Sequence, residues 1–283
     1  LGLTSTGAMS KAQLSLQTTD FTNATQLSSV GDLTFSVSGS ILNDTGATIQ
    51  SEGTLSLTST ASSVTNRGLL SARTALSIDA ASDIRNESAG RMESDGDISL
   101  NAQGGNIYNA NEIEALGDIT LTASTDVTNA SGAKIAAAEN LITDAGGDVN
   151  NDGILKGLAS QTLNAGSLAN NGMVLSNGDL TATLGNNLTN TQTIKSGGDL
   201  ALYVTNKLQN NEGSIKGDTG LKIQKNEAGD KTQIVENISG TIQAGNDDNA
   251  EADLVIRANT LINRKKTFEI DTRTDAGESS NIT

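Results

Sequence analysis

Apolar and polar residues alternate along short stretches of this chain, and the alternation restarts at a fixed interval. Residues 96–116 give one complete unit, in which Ile98, Leu100 and Ala102 alternate with polar residues before a Gly-Gly pair ends the run. Two shorter alternating segments follow, and the next unit begins at Gly117. Alternation with a period of two is typical of a β-strand with one buried face. Each unit therefore predicts three short strands.

The start of each unit is marked by Gly-Asp-Leu or a close variant, and these openers recur at nearly equal intervals, one of which is distinctly shorter than the rest. The apolar residues of the openers are Leu33, Leu55, Leu76, Ile98, Ile119, Leu141, Leu163, Leu180, Leu200 and Leu221. A fixed period of this size with strand-like content predicts a solenoid. β-branched residues, Asn and Gly are abundant and no helical period persists, which argues against helices. The expected fold class is all-β, a parallel β-helix of about 12 coils of roughly 21 residues each.

One asparagine recurs at the corresponding place in each unit, usually two residues after an aliphatic residue. This column consists of Asn23, Asn43, Asn66, Asn86, Asn109, Asn129, Asn151, Asn170, Asn190, Asn210, Asn237 and Asn263. Side-chain amides stacked on equivalent turns can form hydrogen bonds from coil to coil as a ladder. Because buried amides need partners, such a ladder would fix the register of the coils. The column is therefore expected to be structural and not catalytic.

The composition agrees with a thin repeat core and limits the possible partners. Pro, Cys, Trp and His are absent, and the formal net charge is −15. An acidic rod repels phosphate, so we expect no nucleic-acid partner. No apolar run in the sequence approaches the length that a membrane-spanning helix needs, so this segment is not expected to insert into a membrane. The lack of Cys excludes disulfides without indicating a compartment.

Residues suited to catalysis are sparse. His is missing and the acidic residues scatter along the chain, so we expect no catalytic residue, no metal site and no cofactor. A β-helical polysaccharide-processing enzyme is the remote alternative. Such an enzyme needs clustered carboxylates, or Arg and Lys, in a groove formed by long loops. The sequence offers only one region with long insertions, so the chain is not expected to be an enzyme.

The repeat is interrupted between Leu221 and Leu254, which lie about one and a half periods apart. The residues in excess of one period fall in two polar segments, Lys225–Gln233 and Asn246–Glu251. We expect both segments to leave the rod as loops. Insertions in a solenoid often form its binding face, although a tolerated surface loop explains the same residues. Asp247, Asp248, Glu251 and Asp253, in and just after the second segment, have the oxygen ligands that calcium prefers. They lack the spacing and the turn Gly of an EF-hand loop.

Eight residues in and after this region are candidates for contact with a partner. They are Lys225, Asp230, Lys231, Asp247, Asp248, Arg264, Lys265 and Lys266. The last three form a basic cluster where the repeat stops, and such a cluster either docks an acidic surface or only solvates the end of the array. The expected domain division is a filament segment over residues 1–270, with irregular insertions at 222–252. Residues 271–283 are expected to be a tail or the start of a truncated following region.

With its units aligned, the chain resembles the filamentous haemagglutinin repeat region of large exoproteins of the two-partner secretion pathway in Gram-negative bacteria. The resemblance lies in the Gly-Asp-Leu openers and in the phrase LTNTQTIKSGGDL at Leu188–Leu200, with close versions at Leu208–Leu221 and Val64–Leu76. It covers about residues 20–265. The stretch LINRKKTFEI from Leu261 is similar to sequence found where such repeats end in contact-dependent growth inhibition proteins.

The resemblance implies a right-handed β-helical filament that leaves the cell through an outer-membrane transporter and is displayed at the bacterial surface. The rod predicted from the repeat is expected to be an elongated monomer. The implied partner is a cell-surface receptor on bacteria or on host cells. Two functions remain open. One is a stalk or receptor-binding segment in contact-dependent growth inhibition, where a toxin is delivered. The other is a host-cell adhesin segment of a filamentous haemagglutinin, which would contribute to virulence.

Overall fold

The computed structural model of the chain describes residues 3–5, 8–10, 14–246 and 252–266, with side-chain burial from residue 17 onward. Every regular element in these ranges is a β-strand. The same ranges contain no helix with the length and apolar character that a membrane span requires.

The strands are short and follow one another around the chain in groups of three. The first twelve are β1 (Leu3–Ser5), β2 (Ala8–Ser10), β3 (Leu14–Thr18), β4 (Phe21–Asn23), β5 (Gln26–Ser29), β6 (Leu33–Val37), β7 (Ile41–Asn43), β8 (Thr48–Ser51), β9 (Thr54–Ser59), β10 (Val64–Asn66), β11 (Leu69–Ala72) and β12 (Ala75–Ala80). The next twelve are β13 (Ile84–Asn86), β14 (Arg91–Ser94), β15 (Asp97–Ala102), β16 (Ile107–Asn109), β17 (Glu112–Ala115), β18 (Ile119–Ala123), β19 (Val127–Asn129), β20 (Lys134–Ala137), β21 (Asn140–Ala145), β22 (Val149–Asn151), β23 (Ile154–Gly157) and β24 (Ser160–Ala165). The remainder are β25 (Leu168–Asn170), β26 (Met173–Ser176), β27 (Leu180–Leu184), β28 (Asn187–Asn190), β29 (Thr193–Ser196), β30 (Asp199–Val204), β31 (Lys207–Asn211), β32 (Ser214–Gly217), β33 (Gly220–Gln224), β34 (Thr232–Ile238), β35 (Thr241–Ala244), β36 (Asp253–Ile256) and β37 (Ala258–Arg264).

Every third strand pairs with the next of its kind, which builds three parallel sheets. The first sheet has 13 strands and runs from β1 through β4 to β37. The second has 12 strands from β2 to β35, and the third has 12 from β3 to β36. Each group of three strands is one coil, so the fold is a parallel β-solenoid, and the predicted fold class is confirmed.

The interior of the solenoid is filled by columns of aliphatic side chains. In the third sheet Leu33, Leu55, Leu76, Ile98 and Ile119 stack in register, one from each coil. All five are at most 1% exposed. Each such side chain contributes about 1.5–3 kcal/mol before conformational entropy is subtracted. Because these contacts lie between successive coils, stability depends on nearest-neighbour stacking.

The predicted opener register is wrong at one coil. Leu141 pairs with Gln161, whereas Leu163 pairs with Thr143. Gln161 pairs in turn with Leu180, so the apparently short interval before Leu180 comes from an error of two positions. Residues two apart in a strand face the same side, so the apolar Leu163 fits the sequence pattern of an inward column as well as Gln161 fits the pairing. The true opener position is a buried glutamine.

The first predicted loop is shorter than the sequence suggested. Lys225–Gln233 was expected to leave the rod, but β34 already begins at Thr232 and pairs with β37 through Thr232 and Ala258. Thr232 is fully buried, so this polar-looking residue belongs to the sheet. Of the second insertion, residues 247–251 lie outside the described residues, as does the proposed tail at 271–283.

Candidate functional site

The twelve asparagines of the repeat lie in one file at the ends of the first-sheet strands. From Asn23 to Asn237, each Nδ2 donates a hydrogen bond to Oδ1 of the asparagine in the next coil, at 2.7–2.9 Å. The same amide also donates to backbone in the next coil, as from Asn129 to the Ile154 carbonyl at 3.1 Å. The side chains from Asn23 to Asn210 are at most 1% exposed. They therefore hold the coils in register and present no surface to a ligand.

The Gly-Asp pair of the openers has a physical cause that only the stacked coils reveal. Asp97 Oδ1 accepts the backbone N–H of Asp118 in the next coil at 2.9 Å. A Cβ at Gly117 would lie 2.2 Å from that same oxygen, so only glycine leaves room for the carboxylate. Asp179 and Gly198 repeat the arrangement. The aspartate of one coil thus binds the backbone of the next, and the glycine of the next coil makes the approach possible.

The opener carboxylates Asp97 and Asp179 therefore accept hydrogen bonds from the backbone of the next coil. Among the described residues there is no group of three or more acidic side chains arranged to hold a metal ion. Of the acidic residues considered for calcium, Asp253 begins β36 and is exposed, and the others lie at positions 247–251, outside the description.

The turn between β33 and β34 is held by hydrogen bonds of its own. The Lys225 N–H donates to the Asp230 carbonyl at 2.8 Å, and the Asp230 N–H donates to Asn226 Oδ1 at 3.1 Å. Gly229 has a φ of 85°, a conformation that glycine adopts without strain. The side chains of Lys225, Asp230 and Lys231 lie at the surface. This turn presents two cations, Lys225 and Lys231, and two anions, Glu227 and Asp230, on a fixed backbone.

The basic cluster at the end of the repeat is mostly engaged with the rod itself. Arg264 Nη2 lies 3.1 Å from Glu236 Oε1, and Lys266 Nζ lies 2.7 Å from Glu212 Oε1. Lys265 is exposed and has no ion pair within the described residues. Two of the three predicted docking residues therefore anchor the last strand, and only Lys265 is left to meet a partner.

Glu236 is a nearly buried carboxylate between two cations. Lys207 Nζ lies 2.8 Å from its Oε2, and the Glu236 side chain is only 10% exposed. The hydrogen bond from Lys207, with that from Arg264, holds the pKa of Glu236 below its ordinary value of 4.5 despite the opposing effect of burial. A carboxyl group with a lowered pKa stabilises the fold above its unfolded-state pKa and loses this contribution as the pH falls through the folded-state pKa.

The stability difference between the wild type and Glu236→Gln is therefore expected to depend on pH. At pH 7 the variant unfolds at lower urea concentration, because its amide cannot form the ion pairs of Glu236. Below about pH 4.5 the two midpoints converge as the carboxylate is protonated. Urea unfolding at pH 7, 5, 4 and 3 measures this difference. A gap that stays constant over that range would contradict the role of the ion pairs.

The structure does not bring the six described candidate residues into one site. The turn at 225–231 joins the third sheet to the first, and residues 247–251 lie between a second-sheet and a third-sheet strand. Arg264–Lys266 end or follow the last first-sheet strand. The turn and the basic cluster therefore lie at different corners of the last coils, and Asp247 and Asp248 lie outside the described residues.

A groove on the outer face of the second sheet was missed by sequence reasoning. It has a volume of about 480 Å³ and crosses several coils. Its lining includes Glu93, Glu114, Leu116, Lys134, Lys156 and Leu158. Leu116 is 65% exposed and Leu158 is 36% exposed. The lining residues come from separate units of the repeat, and they become neighbours only when consecutive coils are stacked, so an alignment by coil is the one signal that reveals them.

Comparison with known proteins identifies the family of the repeat. The haemagglutinin repeat family matches residues 2–102, 89–156, 158–230 and 219–277, which together span most of the chain. Neither the curated proteins nor the solved structures contain a match. Repeats of this family build secreted, surface-associated adhesins of the filamentous haemagglutinin type, which are generally not enzymes and are associated with two-partner secretion. The resemblance found in the sequence is thus confirmed, and the chain belongs to the haemagglutinin repeat family.

Proposed function

We propose that this chain is a filament segment of a Gram-negative two-partner secretion exoprotein that acts in contact-dependent growth inhibition. Its role is to project, or to form, a receptor-binding surface at the outer face of the cell. The observation that supports this is the unbroken stack of three parallel sheets in a chain of haemagglutinin repeats. Twelve coils at about 4.8 Å each give a rod near 55–60 Å long.

The form of the rod determines where a partner binds. The interior is filled by aliphatic columns and by the asparagine file, so a ligand has access only to outer faces and corners. A rod of this kind separates its two ends, which suits a stalk that carries a receptor-binding or toxin-bearing region away from the membrane. The absence of Pro and Cys suits export of an unfolded chain, because neither prolyl isomerisation nor disulfide formation delays its folding outside.

The last two coils are the proposed receptor-binding part. The regular coils turn their corners with few residues, whereas the turn at 225–231 extends its corner. Lys225 and Lys231 are exposed on a turn whose backbone is fixed, so binding them costs little ordering entropy. The proposed partner is a surface receptor that carries acidic groups opposite these lysines.

A replacement of the turn tests this assignment. Tyr203 pairs with Gln224, and Lys207 pairs with Ile234. The corner between these pairs therefore has three residues in the preceding coil and nine residues in this coil. Replacing Lys225–Gln233 with Val-Thr-Asn, the sequence of the preceding coil, is expected to leave the fold intact. We expect attachment to bacterial cells to fall about tenfold, the effect of losing about 1.4 kcal/mol of contact energy.

Attachment is measured with the labelled chain on Gram-negative cells and on cultured host cells. The control is Arg67→Ser, which removes an exposed cation from a regular coil and should change nothing. Loss of binding to bacteria supports growth inhibition, whereas loss confined to host cells favours the alternative of a host-cell adhesin, which the family also accommodates. Unchanged attachment of the variant to both cell types would show that the turn does not contact a receptor.

A further inference from the structure

The outer face of the second sheet carries charges of opposite sign towards its two ends. The middle outward position of each strand stacks in register along the rod. In chain order this column is Gln50, Ser71, Glu93, Glu114, Ala136, Lys156, Leu175, Lys195 and Lys216. Both acidic residues come before Ala136 and all three lysines come after it. The column therefore has an acidic half, a small residue at its centre and a basic half.

The centre of this face is apolar. Leu116 and Leu158 flank the column on one side and Met173, which is 44% exposed, flanks it on the other. Outside the last coil, these account for three of the four large apolar side chains that are well exposed in the described residues. An apolar patch with charged ends is typical of a protein contact surface.

The acidic end is only partly neutralised by the rod. Glu93 and Glu112 share a single cation, with Arg91 Nη2 at 3.3 Å from Glu93 Oε2 and Arg91 Nε at 2.9 Å from Glu112 Oε2. Glu114 pairs with Lys134 of the next coil. Two carboxylates on one guanidinium leave a residual negative charge at this end of the face.

The basic end mirrors this arrangement. Lys195 and Lys216 share one carboxylate, at 3.4 Å and 3.5 Å from the oxygens of Asp218. Lys156 has no ion pair within the described residues, and it lies beside the apolar centre. The basic half of the face therefore keeps an uncompensated positive charge close to exposed leucine side chains.

We propose that this face binds the same face of a second copy of the chain, with the two rods antiparallel. Inversion of one rod sets the acidic half of each copy opposite the basic half of the other, whereas parallel packing would oppose like charges. The two-fold axis then lies in the interface and runs along the strand that contains Ala136. About this axis Glu114 faces the Lys156 position of the other copy, and Leu116 faces the Leu158 position. The small Ala136 lets the two sheets approach at the centre.

The size of the face makes this a concentration-dependent contact. A rod near 55 Å long with a face about four residues wide offers roughly 700 Å² per copy. A stable interface buries about 800 Å² per partner. The chain is thus the monomer that the sequence predicts when dilute, and pairs form at high local concentration, as between filaments crowded on a surface. Since the contact is partly ionic, it weakens as salt is raised.

Site-directed crosslinking tests the proposal, because the chain has no cysteine of its own. Ala136→Cys places one thiol at the axis, and a short bismaleimide is expected to join two copies. Thr128→Cys, on the outer face of the first sheet, is the matched control and should not crosslink. Gln50→Cys reports orientation, since in the antiparallel pair its two thiols lie several coils apart. Crosslinking no stronger at Ala136→Cys than at Thr128→Cys would overturn the proposal, as would strong crosslinking of Gln50→Cys.

Charge reversal gives a second, independent readout. We expect Lys156→Glu with Lys195→Glu, or Glu93→Lys with Glu114→Lys, to abolish self-association in sedimentation at low salt, with circular dichroism unchanged. A mixture of the two doubly reversed chains should associate at least as strongly as the wild type, because in one the charges of the column are mainly acidic and in the other they are all basic. Failure of the mixture to associate would exclude this face as the contact.

Discussion

Asn129→Ala is expected to lower the free energy of unfolding by about 3 kcal/mol. Asn129 Oδ1 accepts from Asn109 at 2.8 Å, and its Nδ2 donates to Asn151 at 2.9 Å and to the Ile154 carbonyl at 3.1 Å. Alanine removes all three bonds and leaves their partners buried in neighbouring coils. Each buried polar group left without a hydrogen bond lowers stability by about 1–3 kcal/mol. This penalty is smaller where the group keeps a second hydrogen-bond partner. Urea unfolding followed by circular dichroism measures the change.

Asn263→Ala is the matched control for this prediction. Asn263 belongs to the same file and accepts from Asn237 at 2.9 Å, but it lies in an exposed position at the end of the described coils. Water can replace its bonds, so we expect a loss below about 1 kcal/mol. An equal loss in the free energy of unfolding for both replacements would contradict this prediction. It would mean that burial does not determine how much each asparagine contributes to stability.

Gln161→Leu is expected to raise the free energy of unfolding by about 1–3 kcal/mol. Gln161 is 1% exposed, and neither its Oε1 nor its Nε2 has a hydrogen-bond partner within the described residues. In its column it stacks between Leu141 and Leu180, so leucine continues an aliphatic stack and removes two unsatisfied polar atoms. A higher urea midpoint with an unchanged slope would show the gain.

Thr143→Val is the companion to this replacement. Within the described residues, Thr143 Oγ1 is buried without a partner, and valine has nearly the same shape, so a smaller gain of about 1 kcal/mol is expected. Loss of stability in both variants would mean that the polar atoms at 143 and 161 are satisfied in solution. Loss at 161 alone would show that leucine does not fit the volume left by glutamine.

The regular part of the fold follows from local patterns, which explains why it was predictable. Alternation marks each strand, and a recurring Asn marks each coil, so strand number and coil number could be counted without knowing any contact. The error at Leu163 shows the limit of this method. Gln161 and Leu163 face the same side of one strand, and only the pairing of Gln161 with Leu141 distinguishes them. The end of the turn at Lys231 was likewise missed, because Thr232 and Gln233 look polar and the sheet that contains them is not visible in sequence.

The candidate sites were less predictable, because they depend on how the chain is wound. Lys225 and Lys265 are both predicted from the sequence as partner contacts, yet they lie on different corners of the rod. Conversely, Leu116 and Leu158 are two coils apart along the chain and share one groove. In a solenoid, nearness in sequence says little about nearness on the surface. Residues one coil apart are neighbours, and residues a third of a coil apart face different directions.

The asparagine file also gives the rod an electrical direction. All eleven amide-to-amide bonds run the same way, with the nitrogen of one coil pointing to the oxygen of the following coil. At one extremity, the oxygen of Asn23 has no donor among the described residues. Dipoles aligned head to tail polarise one another, so the two extremities are chemically unlike: one offers an acceptor and the other offers a donor. A coil that stacks after Asn263 would meet an amide N–H, whereas a coil that stacks before Asn23 would meet an amide oxygen.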